Sequence, residues 1–166
     1  ELQLLTTMPA ASPFQVFYLW GQYYEAVGEY AQAQAAVERA LAASRQQADL
    51  VDEAHCLSQL GLIASRQSHY EQASQIYLQV LAMFQSRKTF SDEEARVLAQ
   101  TLNGLGSAQR EQGNFDEAIA CYTQALVLSQ QSGDRRYEAE SYNHLGVTTY
   151  YQRRFSDAQQ YHHQAL

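Results

Sequence analysis

The sequence predicts an all-α protein made of stacked helix pairs, and three observations predict it. The first is a fourfold repeat. Gly21, Gly61, Gly106 and Gly146 are each followed twelve residues later by an alanine (Ala33, Ala73, Ala118, Ala158), and eight residues beyond that by a leucine (Leu41, Leu81, Leu126, Leu166). An aromatic column, Tyr30, Tyr70, Phe115 and Phe155, stands between glycine and alanine. Columns that keep register over four copies mark an architecture in which each unit buries its apolar face against the next. The second observation is composition. Ala, Leu, Gln and Glu abound while Val, Ile and Thr are few, which is the balance of a helical chain. The third is that proline is confined to Pro9 and Pro13, so nothing after Pro13 forbids long helices.

Each copy reads as a helix A, a tight turn, a helix B and a linker. The copies run over about 13–47, 48–90, 91–133 and 134–166, and residues 1–12, beginning Glu1-Leu2-Gln3-Leu4-Leu5, read as the end of a preceding helix or a linker. In copy two, Ser68 and Glu71 have the spacing of a capping box that opens helix B. In copy three, Leu102, Leu105, Gly106 and Gln109 lie on one face of helix A, and Gly113-Asn114 breaks it. Asn114 with Glu117 then predicts a second capping box, and Phe115, Ala118, Tyr122 and Ala125 form the apolar stripe of helix B. Copy four follows the same plan.

A glycine in mid-helix costs about 1 kcal/mol relative to alanine, so its recurrence requires a packing reason. Gly in helix A and Ala in helix B are expected to let the two helices cross closely, with the aromatic after the turn filling the wedge beside them. The glycine spacings are 40, 45 and 40 residues. The extra five fall around Phe84 to Ser91 and predict a longer connection, with Ser91 and Glu94 as a capping box restarting the next helix A.

Bulk chemistry narrows the function classes. With 11 Lys and Arg against 18 Asp and Glu, the chain carries a formal net charge of −7 and has no basic cluster. Direct binding to nucleic acid or to an anionic membrane is therefore not expected. Cys56 and Cys121 read as lone buried fillers, which suits a reducing, cytoplasmic setting. No signal peptide and no run of 18 apolar residues is present. The five histidines lack ligand spacing, and neither a phosphate-binding loop nor a nucleophile elbow occurs. No metal, no cofactor and no catalytic activity are expected.

The segment Leu105 to Leu126, LGSAQREQGNFDEAIACYTQAL, resembles the tetratricopeptide repeat: its Leu-Gly pair, turn Gly, aromatic, Ala and terminal Ala-Leu stand in the family's order. The resemblance extends over about Phe14 to Leu166. The period is longer than the family's usual 34 residues, and the proline that normally ends helix B is replaced by Arg45, Gln85 and Gln130. Helix B is thus expected to run on by a turn or more. In this respect the chain is similar to kinesin light chains, Pins-type scaffolds and MalT-like bacterial regulators, and Ser132 to Gly146 is especially like the linker and next helix A of that group.

The resemblance implies a right-handed superhelical solenoid of antiparallel helix pairs, with helix A lining a concave groove that binds an extended peptide or protein segment. The positions expected to face that groove are Tyr18, Gln22 and Glu25; Ser58, Leu62 and Ser65, with Arg66 beside them; Asn103, Ser107 and Arg110; and Asn143, Val147 and Tyr150. Asn103 and Asn143 stand where long-repeat relatives use asparagines to hold a peptide main chain, since the amide both donates and accepts. Arg66 and Arg110 would meet an acidic group on the ligand, and Tyr150 or Tyr151 would supply an aromatic anchor. The Lys, Asn and Arg set with which chaperone cofactors grip a C-terminal carboxylate does not occur.

Two other roles stay open: a regulatory arm of a larger signalling ATPase or transcription regulator, and end-to-end self-association. The second rests on Leu166, which ends the fourth helix B with no polar capping helix after it. Either further repeats follow in a longer protein, or that end stacks on another copy.

Overall fold

The computed structural model describes residues 12–166, so the expected helix end or linker over 1–12 lies, apart from Ser12, outside the described residues. Eight α-helices are described: α1 (Pro13–Ala26), α2 (Tyr30–Gln47), α3 (Leu50–Arg66), α4 (Tyr70–Phe84), α5 (Asp92–Glu111), α6 (Phe115–Ser132), α7 (Arg135–Tyr151) and α8 (Phe155–Gln164). They pack as four antiparallel pairs in chain order. The first helices α1, α3, α5 and α7 also touch one another in succession and form one wall of the stack.

The two helices of a pair start by different devices. Every first helix has a side-chain cap. Ser12 with Gln15 and Ser91 with Glu94 form capping boxes, the latter as the sequence predicts. Asp49 accepts from the amides of Val51 and Asp52, both at 3.0 Å, and Asp134 from those of Arg136 and Tyr137 at 3.1 and 3.2 Å.

The second helices have no such cap. Each follows a residue in the left-handed region, namely Gly28, Ser68, Gly113 or Arg153, with φ of 82°, 63°, 85° and 62°. The next amide then returns to the carbonyl five residues back at 2.8 to 2.9 Å. That bond closes the first helix and reverses the chain within a residue or two. The expected capping boxes at Asn114/Glu117 and Ser68/Glu71 are corrected accordingly. The Asn114 amide donates to Gln109 Oε1 at 2.7 Å instead, and Ser68 is itself the left-handed residue.

α2 and α6 run for 18 residues each, as the missing proline predicts. α4 stops after 15, at Phe84, and the longer connection over 85–91 follows it. The other two connections are only Ala48-Asp49 and Gly133-Asp134.

The alanine column lies at the helix crossings: Ala33, Ala73 and Ala118 are 0% exposed and Ala158 is 3% exposed. The glycine column has a more specific partner than close approach alone. Each glycine faces the side chain sixteen residues later, which is Val37, Tyr77, Tyr122 or His162. A Cβ would lie 2.7 Å from the Tyr77 ring at Gly61, 2.6 Å from the Tyr122 ring at Gly106, and 2.7 Å from the His162 ring at Gly146. The Tyr77 ring is held from the other side as well, because Gly104 of the next first helix abuts its hydroxyl end. The wedge-filling aromatics Tyr30, Tyr70 and Phe115 are only half-buried, and Phe155 is exposed. The rings buried at the glycine contacts are Tyr77 and Tyr122.

Two predictions follow from this packing. Alanine in place of glycine normally strengthens an open helix by about 1 kcal/mol. Here Gly61→Ala and Gly104→Ala are each expected to lower unfolding free energy by about 1–3 kcal/mol, because the trapped ring cannot yield to either side. Urea denaturation measures it, and a gain in stability at both positions would show that the ring is not confined.

The second concerns Asp134. Burial alone would raise its pKa, but the amides of Tyr137 and Arg136 and the Arg96 guanidinium, 2.7 Å away, hold it below the ordinary carboxylate range. A carboxyl depressed in the folded state stabilises above its unfolded pKa, and that stabilisation is lost as pH falls through the folded value. Asp134→Ala is expected to cost about 1 kcal/mol at pH 7. The difference from wild type should shrink below about pH 4, read from paired urea titrations.

Candidate functional site

The wall of first helices curves around two adjoining cavities. The larger, of about 650 Å³, lies against α1 and α3 and is lined by Tyr18, Gln22, Asp52, His55 and Glu93, among others. The second, of about 560 Å³, is centred on α3 and α5 and is lined by Ser65, Arg66, Asn103, Ser107, Arg110 and neighbouring residues. Glu25, Leu62, Gln100, Arg136 and Tyr137 belong to both, so the two form one continuous groove.

The positions expected to face the groove divide into three groups. Tyr18, Gln22, Leu62, Arg66 and Arg110 line it. Ser58, Ser107 and Asn103 also reach its lining, but their polar atoms are engaged in packing. Ser58 is 2% exposed and shares a hydrogen bond with Thr101 at 2.7 Å, fastening α3 to α5. The Ser107 hydroxyl accepts from the Tyr122 phenol at 3.2 Å. Asn143, Val147 and Tyr150 line neither cavity; Asn143 and Tyr150 are exposed on α7.

Asn103 is the most informative of these residues. It is 1% exposed, and its side-chain amide meets Ser141 Oγ at 3.0 Å, tying α5 to α7, while the single hydroxyl proton of Ser141 has the closer acceptor in the Tyr137 carbonyl at 2.8 Å. Ser141 Oγ meets only one atom of the amide, so the other stays buried in the cavity lining without a hydrogen-bond partner. A buried donor or acceptor left unsatisfied costs about 1–3 kcal/mol.

The electrostatics differ from what the arginines suggest in sequence. Arg66 pairs with Glu25 at 2.9 Å and Arg110 with Glu111 at 2.9 Å, so both expected anion receptors are already neutralised. Asp52 and Glu93 form no ion pair among the described residues. Burial first, then the neighbouring Asp49 and Glu93, push the Asp52 carboxyl up to about 6. Burial holds His55 below its ordinary value despite Glu93. The Arg136 guanidinium lies 5.6 Å from the Tyr137 ring centroid. Sequence reasoning missed Asp52, His55 and Gln59 in this lining, although their spacing from Leu62 and Arg66 places all five along one helical face.

No group of three or more His, Cys, Asp or Glu able to hold a metal occurs among the described residues. Both cysteines are free, and burial pushes the Cys56 thiol up to about 12 and Cys121 up to about 11, far from thiolate reactivity at neutral pH. No helix among the described residues is long and apolar enough to cross a membrane.

Paired helices, a left-handed turn closing each pair and a groove along the first helices define an α-helical repeat solenoid. The tetratricopeptide repeat model matches residues 14–86 and 97–166, and the chain belongs to that family. No curated protein matches it.

Solved structures share the fold at low identity. BtubC (BKLC) from P. vanneervenii is 19% identical with a TM-score of 0.72, over 96% of this chain and 65% of that one. The apo form of RapI is 15% identical with a TM-score of 0.78, over 99% and 58%. A kinesin light chain from Podospora anserina with nearly identical repeats is 17% identical with a TM-score of 0.63, over 99% and 79%. The chain therefore spans about two thirds or less of the length of BtubC and RapI. The repeat fold is that of protein–protein interaction scaffolds.

Proposed function

We propose that the chain is a non-catalytic scaffold whose concave groove receives an extended peptide or protein segment. The observation that carries this reading is the continuous groove along the first helices, with one atom of the buried Asn103 side-chain amide left unpartnered in its lining. The main chain of a bound segment, which both donates and accepts, would satisfy that atom in either orientation of the amide. The charge left over in the groove adds a preference. Arg66 and Arg110 are already paired, and Asp52 with Glu93 outnumber Arg136, unpaired among the described residues, at the α1–α3 end, which favours a basic side chain on the ligand there.

The test uses peptides selected from a random display library against the folded chain. Asn103→Ala is expected to weaken a selected peptide about tenfold, equivalent to roughly 1.4 kcal/mol. Ser141→Ala breaks the same internal bond yet leaves the amide, and should weaken it much less. Equal affinity for wild type and Asn103→Ala would refute the groove reading.

Binding of a Lys- or Arg-bearing peptide should also strengthen as pH rises through about 6, where Asp52 ionises. That pH dependence should flatten in Asp52→Asn, measured by fluorescence anisotropy between pH 5 and 7.5. A profile unchanged by the substitution would remove Asp52 from recognition.

A further inference from the structure

The opposite side of the array carries a cleft that the groove reading does not use. α4 ends at Phe84 while α6 extends for 18 residues, and the connection over 85–91 crosses the gap between them. The result is a cleft of about 780 Å³ at the junction of the second and third pairs. Leu81 and Phe84 of α4 form one wall, Val127 and Leu128 of α6 the other, and Leu98 and Leu102 of α5 the floor. Val127 is 48% exposed, a large aliphatic side chain left open to solvent at the rim.

The charges around this cleft run against the chain as a whole. Its two charged lining residues, Arg87 and Lys88, are both cations, in a protein of net charge −7. Arg87 is held by Glu94 and lies 5.5 Å from the Phe84 ring centroid. Lys88 is exposed and forms no ion pair among the described residues. With Arg87 matched by Glu94, the free charge at the rim is Lys88, and an apolar floor beside an unpaired lysine is complementary to apolar side chains that have a carboxylate close by.

The backbone decides what form such a ligand takes. The walls contributed by α4, α5 and α6 have main-chain groups bonded internally, so only the short connection over 85–91 offers main-chain partners to an extended chain. An extended segment seated there would leave its own amides and carbonyls unpaired against apolar side chains. A helix brings its hydrogen bonds with it and needs only side-chain contacts, and Thr123, Val127 and Gln131 present a matching spacing of four along α6. We infer that this cleft is a second docking site, which takes an amphipathic helix of a partner protein with apolar residues on one face and an acidic residue beside them. The site is independent of the concave groove.

Two synthetic helical peptides of equal length test it, one with a leucine face flanked by glutamate and a twin with lysine in place of glutamate. Each is titrated into the ¹⁵N-labelled chain. The glutamate peptide is expected to shift amides of residues 85–90 and 123–131 and to bind at least about fivefold more tightly than its twin. Lys88→Glu and Val127→Asp, both at solvent-exposed side chains and checked for unchanged helicity, should each weaken it at least about fivefold. Asn103→Ala, which probes the groove, should leave it unaffected. The inference is overturned by equal binding of the two peptides, by indifference to both rim variants, by shifts confined to the groove helices, or by no saturable binding at millimolar peptide.

Discussion

The structure depends on glycines that make room for side chains from the facing helix. Tyr77 is the clearest case. Its ring lies between Gly61, in the helix it pairs with, and Gly104, in the first helix of the next pair. A single side chain therefore sets the distance both within a repeat and between repeats, and it does so at 2% exposure. Packing at this density tolerates little adjustment, so the curvature of the first-helix wall is fixed in part by that ring. The groove inherits its width from the same constraint, because Tyr77 and Gly104 also line its floor.

Around this clasp the polar contacts between repeats are few and specific. Ser58 with Thr101 joins α3 to α5, Asn103 with Ser141 joins α5 to α7, and Arg96 with Asp134 ties α5 to the cap of α7. These bonds join successive first helices side by side, so the groove wall is held as a unit. The same engagement removes Ser58 and half of Asn103 from direct service to a ligand. What remains is one atom of that amide, in a cavity where Arg66 and Arg110 are matched by carboxylates and, among the described residues, Arg136 is not.

Much of this was legible in the residues, and the parts that were not share physical reasons. The glycine and alanine columns, the Ser91 cap and the longer connection near Phe84 could be read because each requires a particular residue type. The partners of the glycines could not, since Val37, Tyr77, Tyr122 and His162 share a position and a space-filling role but no chemistry. The turns hid for a similar reason. Gly28, Ser68, Gly113 and Arg153 all take the left-handed conformation because the chain reversal imposes it, whatever the side chain. At the site, Leu62, Arg66 and Arg110 line the cavity at positions that helical periodicity singles out. Periodicity could not show that both arginines find a carboxylate, one of them on another helix.

The most direct test of the account is the side-chain amide of Asn103, observed by NMR with and without a saturating groove peptide. Groove binding through this residue predicts that the two Nδ2 protons shift and exchange more slowly in the complex, as the buried amide gains a main-chain partner, while the Asn143 amide changes little. Saturation by peptide with the Asn103 side-chain signals unmoved would contradict it, and would mean that the groove, if used at all, recognises its ligand without this residue.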